Sequence, residues 1–208
     1  MSNRSIHTLL KNWDEECPLT REEAVEVLNL PEEEMDSLME CAYALRTKYK
    51  GKKVSVQLLT NVRSGNCAQN CAYCAQSKDS QAEIEKYKRV SDEKLYGDND
   101  LVDEKHLARH CIGLSGIGFS DEEIEDLADR IREMKKKDTQ ICCSIGFLTE
   151  KQARILKDAG LDRINHNLNS SRSFYPEICT THTYDQRVNN IKMLQSLGFE
   201  ICSGGIVG

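Results

Sequence analysis

The sequence predicts an α/β fold, a (β/α) barrel of the TIM type that follows an N-terminal helical segment. Short apolar stretches alternate with helix-capping signatures, which is the pattern of parallel β–α units. The later predicted strands are apolar on one face and small, polar or thiol-bearing on the other. An open parallel sheet covered by helices on both sides would be apolar on both faces. The two-faced strands therefore favour a barrel whose interior is a reaction chamber.

Residues 1–50 are the first predicted domain, a helical preface. A capping box, in which Thr20 is followed three residues later by a glutamate, begins its first helix. A second helix opens at Pro31 and extends to about Tyr49. Residues 51–208 are the second predicted domain, the barrel itself.

The barrel domain contains five candidate strands and at least three candidate helices. The strands are Val54–Leu59, His110–Leu114, Ile141–Phe147, Arg163–Leu168 and Phe199–Val207. The helices start at residues that carry a capping signature, namely Ser120, Thr149 and Thr183. The polar stretch Lys78–Arg109 is the weak point, because Gly-Asp-Asn-Asp at 97–100 is expected to interrupt any helix there.

The number of predicted units is too small for a closed barrel. An eight-fold barrel takes about 250 residues, whereas this chain has 208 and reaches only a fifth strand. We expect a barrel truncated to about five units, with the remainder belonging to a longer protein or to another chain. The 208-residue chain alone is then expected to turn over substrate poorly.

Composition and charge narrow the class of protein. The net charge of −6 argues against a nucleic-acid-binding surface. Residues 1–18 are polar and lack the apolar core of a signal peptide, and no apolar run approaches the length of a membrane span. We therefore expect a cytoplasmic protein with no membrane partner, in which the cysteines are reduced and can serve as metal ligands.

A cysteine-rich loop follows the first predicted strand. Cys67, Cys71 and Cys74 have the spacing C-x₃-C-x₂-C, and Tyr73 precedes the last of them. Three thiolates on one short loop suit an iron–sulfur cluster or zinc. The loop offers no fourth ligand, and an open coordination position is a property of catalytic rather than structural sites. A structural zinc loop and a disulfide-paired loop are the alternatives.

Three further cysteines fall on the inward face of three different strands. Cys111, Cys142 and Cys202 share that face by strand parity, so they can surround a second cluster. The alternative is that they are buried and inert. Cys143 points to the opposite face and Cys179 lies in a predicted loop, so both are left out of this set.

The cysteine loop resembles the signature of the radical S-adenosylmethionine (SAM) family, and residues 51–208 would carry that family's barrel core. The resemblance implies that Cys67, Cys71 and Cys74 hold a 4Fe–4S cluster and that SAM chelates its fourth iron. It also implies that Tyr73 packs near the adenine of SAM.

Three other segments resemble the members of that family that insert sulfur into dethiobiotin to form biotin. They are Arg109–Gly113, Asn165–Arg187 and the terminal Cys-Ser-Gly-Gly-Ile-Val-Gly at 202–208. The resemblance implies an auxiliary cluster, 2Fe–2S by default, that donates the sulfur and is held by Cys111, Cys142 and Cys202. It also implies a flavodoxin- or ferredoxin-type electron donor and a homodimer.

The same resemblance assigns the polar residues of the chamber. Asn165 would contact dethiobiotin, and the residues expected to contact SAM are Asn167, Asn169, Arg187, Gly204 and Ile206. Asn169 stands where many of these enzymes have an aspartate. The usual fourth auxiliary ligand, an arginine on a later strand, has no counterpart before Gly208, which leaves the type of that cluster open. Another radical SAM enzyme with a different substrate, or a non-catalytic iron–sulfur or zinc-binding module, remains an alternative.

Overall fold

The computed structural model describes residues 19–206, so residues 1–18 and the last residue of the predicted fifth strand, Val207, lie outside the described part. The chain divides into two compact units, Met1–Val54 and Ser55–Gly208.

The described part of the first unit is helical. Helix α1 is Arg21–Leu28, and its capping box is formed as predicted: Glu23 N donates to Thr20 Oγ1 (3.2 Å) and Thr20 N to Glu23 Oε2 (2.9 Å). A 3₁₀ turn, Glu32–Glu34, leads into helix α2, Met35–Lys50. Helix α2 ends at Gly51, whose φ of 62° favours glycine.

The second unit is an arc of five parallel strands with helices between them. The strands are β1 Gln57–Arg63, β2 Arg109–Leu114, β3 Ile141–Ser144, β4 Arg163–Asn165 and β5 Glu200–Cys202, and they pair in chain order. The helices are α3 Asp92–Glu104, α4 Asp121–Met134, α5 Glu150–Asp158, the short α6 Tyr175–Ile178 and α7 Tyr184–Ser196. This order is the α/β architecture that the alternating pattern predicted, and it matches part of a TIM-type barrel.

The two faces of the strands differ as strand parity predicted. Ile112, Cys143 and Ile164 are each fully buried and belong to the main hydrophobic core, where α4, α5 and α7 cover the sheet. The opposite face carries two layers of residues that lie side by side on neighbouring strands. One layer is Leu59, Cys111, Cys142, Arg163 and Glu200, and the next is Asn61, Gly113, Ser144, Asn165 and Cys202.

The helix starts in this unit follow the sequence signatures. Ser120, Thr149 and Thr183 each accept a hydrogen bond from the backbone three residues on, and the glutamate or glutamine at that position returns it. Each cap satisfies backbone donors that would otherwise lack partners at the helix start. The predicted starts of these helices are therefore confirmed.

The boundaries of the strands differ from the prediction. β1 begins three residues later than Val54 and ends four later than Leu59, and Val54 is 78% exposed. The β-branched residues at 54–56 suggested the earlier start, whereas the buried position Thr60 is polar and gave no hydrophobic signal. Its hydroxyl lies 2.6 Å from Asp98 Oδ2 and 2.9 Å from His110 Nε2. The third, fourth and fifth strands are shorter than predicted, because the chain leaves the sheet to form loops at their carboxyl ends.

The expected helix break at 97–100 was wrong. Helix α3 runs without interruption from Asp92 to Glu104 and is capped by Ser91, whose hydroxyl accepts from Lys94 N (3.2 Å). Asn99 is buried, donates from Nδ2 to Met134 O (3.2 Å) and lies 3.1 Å from His110 Nδ1 through Oδ1. These tertiary hydrogen bonds outweigh the poor helix propensity of the Gly-Asp-Asn-Asp segment. Each of its residues costs at most about 1 kcal/mol relative to alanine in a helix.

Among the described residues, no helix combines the length and the apolar character needed to span a bilayer.

Candidate functional site

The cysteine loop leaves the carboxyl end of β1 and is fixed by its own backbone. Cys74 N donates to Cys71 O (3.1 Å), and Lys78 N donates to Gln69 O (3.0 Å). Gly65 starts the loop with a φ of 72°, and its amide donates to the side-chain oxygen of Gln76. The loop is therefore ordered by hydrogen bonds that leave the cysteine side chains free to face a common centre.

A cavity of about 310 Å³ lies where the strands end, next to this loop. Most of the predicted site residues line it: Cys67, Cys71, Tyr73, Cys74, Asn165, Asn167, Asn169 and Arg187. In barrel enzymes the active site lies at the carboxyl ends of the strands. Residues more than 100 positions apart in the sequence thus share one chamber at the place where such a fold carries chemistry.

Arg187 forms part of the cavity wall and is held by three neighbours. Its guanidinium donates to Tyr175 Oη (2.6 Å), to His182 Nε2 (2.9 Å) and to Asn167 O (3.1 Å). These bonds fix a planar cation beside the cysteine loop. A guanidinium in this position is suited to bind a carboxylate.

The surroundings of Cys71 include two residues that the sequence analysis did not place here. Cys179, at the end of α6, has its Sγ 3.7 Å from Cys71 Sγ, and His182 Nδ1 lies 3.3 Å from Cys179 Sγ. Its place in a predicted loop excludes Cys179 from the ligands that the sequence predicts. The only local signal was its position three residues before a histidine, and nothing in that spacing links it to a loop 108 residues earlier.

Burial shifts the ionisation of these groups. Burial, followed by the adjacent Cys179 thiol, raises the pKa of Cys71 to about 11. Burial and the neighbouring Arg187 lower the pKa of His182 to about 4, so its ring is neutral at neutral pH. A thiol with so high a pKa is protonated at neutral pH unless it binds a metal, which takes the thiolate form.

The residues of this cavity fit a 4Fe–4S cluster and SAM. Three thiols face one chamber, as thiolate ligation of a cluster requires. Asn165 Oδ1 also lines the chamber and, among the described residues, is buried with no hydrogen-bond partner. A buried acceptor without a partner costs about 1–3 kcal/mol, so a bound molecule with a donor at this position would stabilise the arrangement.

The second set of cysteines lies deeper in the arc. Cys111 and Cys142 are register partners on β2 and β3, whereas Cys202 is in the next layer and pairs with Asn165. Burial and repulsion from the Cys111 thiol raise the pKa of Cys142 to about 12, and two nearby arginines act in the opposite direction. The structure thus brings two of the three predicted ligands side by side and the third one layer away.

Arginines surround this second set, which the sequence analysis did not foresee. Arg109 Nη2 lies 3.4 Å from Glu200 Oε2, and Arg163 forms a close ion pair with the same carboxylate. Arg109 Nη1 and Arg163 Nε are nevertheless buried without a hydrogen-bond partner among the described residues. Buried cationic donors beside three thiols fit an anionic cluster that contains sulfide. Arg163 and Glu200 could have been found by extending strand parity two residues back from Asn165 and Cys202.

Gly204 and Ile206 lie beside the cavity rather than in its wall. They line a neighbouring depression together with Asn169, which borders both spaces. Asn169 N donates to Gly204 O (3.0 Å), and Ile206 N donates to Asn169 O (2.8 Å). Asn169 has a φ of 67°, a conformation that asparagine tolerates better than most residues.

A family model described as the radical SAM superfamily matches residues 61–208, which include the cysteine loop and all five strands except the start of β1. The chain belongs to the radical SAM superfamily. The fold, the spacing of the three cysteines and the position of the cavity all agree with this membership.

Curated relatives of this radical SAM chain include biotin synthases. Those of Geobacillus kaustophilus and Bacillus subtilis are each 40% identical to it over 191 residues, which is 91% of this chain and 57% of theirs. The chain therefore spans a little more than half the length of these curated relatives.

Solved structures support the fold of the radical SAM chain. Methylornithine synthase (PylB) matches 97% of this chain and 58% of its own with a TM-score of 0.82 and 16% identity. The FeFe-hydrogenase maturase HydG from Carboxydothermus hydrogenoformans matches 96% of this chain and 48% of its own, with a TM-score of 0.79 and 20% identity. At these identities the likeness concerns the fold alone.

Proposed function

We propose that this chain carries the SAM-cleaving and sulfur-donating core of a biotin synthase, which converts dethiobiotin to biotin. The observation that carries the proposal is the presence of two thiol sets along one lumen, the first at the strand ends and the second deeper in the arc. The 40% identity to two curated biotin synthases supports the choice of substrate. A binding module with a single structural metal would need only the first set.

In this proposal the upper part of the lumen binds SAM. Cys67, Cys71 and Cys74 hold a 4Fe–4S cluster, which when bound supplies the electron that cleaves SAM to methionine and a 5′-deoxyadenosyl radical. Arg187 binds the SAM carboxylate from the position fixed by Tyr175, His182 and Asn167. The residues proposed to contact the rest of SAM are Tyr73, Asn167, Asn169, Gly204 and Ile206.

The lower part of the lumen supplies the sulfur. Cys111, Cys142 and Cys202 hold an auxiliary cluster of the 2Fe–2S type, and Arg109 and Arg163 offset its negative charge. Asn165 is one layer above Cys142, and its Oδ1 has no hydrogen-bond partner within residues 19–206, so it accepts a hydrogen bond from dethiobiotin. A substrate held there lies between the radical source and the sulfur source, as the reaction requires.

We also propose the compartment, the electron donor and the oligomeric state. The chain works in the cytoplasm, receives electrons from a flavodoxin or ferredoxin and functions as a homodimer. The acidic balance of −6 supports the absence of nucleic acid from its partners.

Anaerobic reconstitution with iron and sulfide tests the proposal. We expect two cluster types in the Mössbauer spectrum of the wild-type chain, and loss of the auxiliary type alone in Cys142→Ala. Cys143→Ala is the matched control, because Cys143 lies on the opposite face of the same strand and faces the core. One zinc per chain with no uptake of iron would contradict the proposal. The choice of substrate is tested on the chain extended with the C-terminal part of the Geobacillus kaustophilus biotin synthase, since the 208 residues alone are expected to turn over substrate poorly. Formation of 5′-deoxyadenosine without biotin by that extended chain, in the presence of dethiobiotin, would point to a radical SAM enzyme with another substrate.

A further inference from the structure

The Cys71–Cys179 contact joins the cysteine loop to the segment after β4. The two sulfur atoms are 3.7 Å apart, and both side chains are buried. Backbone bonds hold the two segments in place, because Ala72 N donates to Ile178 O (2.9 Å). The side chain of Asn70 accepts from the amides of Thr180 (3.1 Å) and Thr181 (3.3 Å). The contact is thus part of an ordered junction and not a chance approach of two mobile loops.

The hydrogen bonds around Cys179 determine which chemistry the contact can support. The Arg187 guanidinium has donors and no acceptor, and it directs two of these donors at His182 Nε2, at 3.2 and 2.9 Å. That nitrogen must therefore accept, and the single ring proton of the neutral imidazole lies on Nδ1. Nδ1 faces Gln69 Oε1 (3.0 Å) and Cys179 Sγ (3.3 Å), so His182 is a hydrogen-bond donor to this pair.

This tautomer argues against a metal at the same place. Cys71, Cys179 and His182 have ligand atoms within 4.8 Å of one another, which is close enough for a zinc site. Zinc would need the lone pair of Nδ1, and Nε2 would then carry a proton directed at a guanidinium. The arrangement instead suits a sulfur-to-sulfur bond beside a donor that stabilises a thiolate.

We propose that Cys71 and Cys179 form a reversible disulfide in the cluster-free chain, and that this bond excludes the iron–sulfur cluster until it is reduced. Cys71 lines the main cavity, so a small-molecule disulfide can reach it there. Cys179 contacts Cys71 but does not line the cavity, and it is only 3% exposed. It therefore acts as the resolving cysteine, which attacks the mixed disulfide. The exclusion of the cluster rests on the proposed function, because it requires Cys71 to be a cluster ligand. The disulfide itself does not.

The reaction is a two-step thiol–disulfide exchange. The Cys71 thiol loses its proton as its sulfur attacks one sulfur of the small-molecule disulfide, and a mixed disulfide forms while one small thiol leaves with that proton. The Cys179 thiolate then attacks the Cys71 sulfur, the protein disulfide forms and the second small thiol leaves. Two electrons pass from the protein thiols to the small-molecule disulfide, and the two protons end on the released thiols. A small dithiol reverses both steps.

Tryptic peptides make this bond directly observable. Trypsin places Cys67, Cys71 and Cys74 in one peptide, 64–78, and Cys179 in another, 173–187. We would incubate the anaerobic, cluster-free 208-residue chain with oxidised glutathione, block free thiols and identify cross-linked peptides by tandem mass spectrometry. We expect a predominant Cys71–Cys179 cross-link that disappears with dithiothreitol.

Matched variants distinguish a specific Cys71–Cys179 disulfide from unspecific oxidation of the thiols. Cys67→Ser and Cys74→Ser should keep the cross-link, which also shows that the loop still folds, and Cys179→Ser should abolish it. Absence of the cross-link, or its equal distribution over the three loop cysteines, would overturn the proposal. So would tight binding of one zinc by wild-type chain that is lost in Cys179→Ser but kept in Cys67→Ser and Cys74→Ser, because that result would assign the trio to a metal.

The reconstituted chain provides the link to the proposed function. With the cluster bound, Cys71 is occupied, and oxidised glutathione should produce no Cys71–Cys179 cross-link. A cross-link that forms equally before and after uptake of iron and sulfide would leave the disulfide established and would count against Cys71 as a cluster ligand.

Discussion

At the scale of single residues, Cys71 has two alternative partners, the proposed cluster and the Cys179 sulfur. In the proposed function its thiolate is one of three ligands of a cluster, and in the cluster-free chain it lies 3.7 Å from the Cys179 sulfur. Burial raises its pKa to about 11, so the thiol is protonated at neutral pH and loses its proton when it binds a metal or forms a disulfide.

The variant Cys71→Ala should abolish cleavage of SAM. It removes one of three thiolates that hold the 4Fe–4S cluster, whereas the ligands of the auxiliary cluster are untouched. The measurement is 5′-deoxyadenosine formed with dithionite, accompanied by Mössbauer spectra. Cys179→Ser is the control, because it changes the neighbouring thiol and keeps all three loop cysteines. Production of 5′-deoxyadenosine by Cys71→Ala at the wild-type rate would show that this loop does not hold the cluster.

Gly146 controls the shape of the cavity by its lack of a side chain. A Cβ at this position would lie 2.4 Å from Ile117 O, so the loops after β2 and β3 approach each other across this glycine. Phe147 N donates to the same carbonyl at 2.7 Å. We expect Gly146→Ala to lower the free energy of unfolding by about 1–3 kcal/mol, the usual cost of overpacking.

Urea denaturation followed by circular dichroism measures this loss. Gly118→Ala is the matched control, since a Cβ at Gly118 has no atom within 4 Å, and its stability should stay close to that of the wild type. Equal midpoints for the two variants would contradict the close approach at Gly146.

At the scale of elements, helix α3 shows how tertiary bonds determine local structure. Its centre reads Gly-Asp-Asn-Asp, yet Asn99 bonds to Met134 O and His110, and Asp98 bonds to Thr60. These contacts connect α3 to β1, β2 and α4 across the core. The helix therefore persists because of what its polar residues bind, not because of their intrinsic preference.

Two substitutions in α3 should have opposite effects on stability. Asn99→Ala leaves His110 Nδ1 without its partner and removes one of the two donors to Met134 O, so it should cost about 1–3 kcal/mol of unfolding free energy. Gly97→Ala places a methyl group where no atom lies within 4 Å and should add about 0.5–1 kcal/mol.

Thermal and urea unfolding of the two α3 variants, compared with the wild type, test this pair. A neutral Asn99→Ala would mean that the buried bonds do not hold the helix. A destabilised Gly97→Ala would mean that this segment is not helical in solution.

At the scale of the whole molecule, the five strands form an open arc. Within residues 19–206, β1 pairs only with β2 and β5 only with β4. Unpaired edges of parallel strands offer hydrogen-bonding groups to other chains. Leu59, on the lumen face of β1, is 65% exposed.

The 208-residue chain by itself should therefore self-associate. Anaerobic size-exclusion chromatography with light scattering should show species larger than the 23.6 kDa monomer, with a mass that rises with concentration. A chimera that appends the remaining C-terminal part of the Geobacillus kaustophilus biotin synthase is the control and should form fewer large species. A monodisperse monomer that forms biotin would show that the lumen closes in another way.

The predictions that succeeded from sequence depend on short-range relations. The capping boxes at Ser120, Thr149 and Thr183 need only a hydroxyl and a side chain three residues apart. The spacing of Cys67, Cys71 and Cys74 places three thiols on one loop whatever the rest of the chain does. Strand parity assigns each residue to a face, because side chains alternate along an extended backbone.

The features that sequence could not determine all depend on contacts between distant segments. The proximity of Cys179 to Cys71, the arginines beside Cys111 and Cys142, and the continuity of α3 each join residues from different β–α units. Local propensities differ by about 1 kcal/mol or less per residue, whereas a buried polar group without its partner costs about 1–3 kcal/mol. The packing of distant segments, which includes the register of the strands, therefore decided which polar groups and thiols meet, and that packing exists only once the chain has folded.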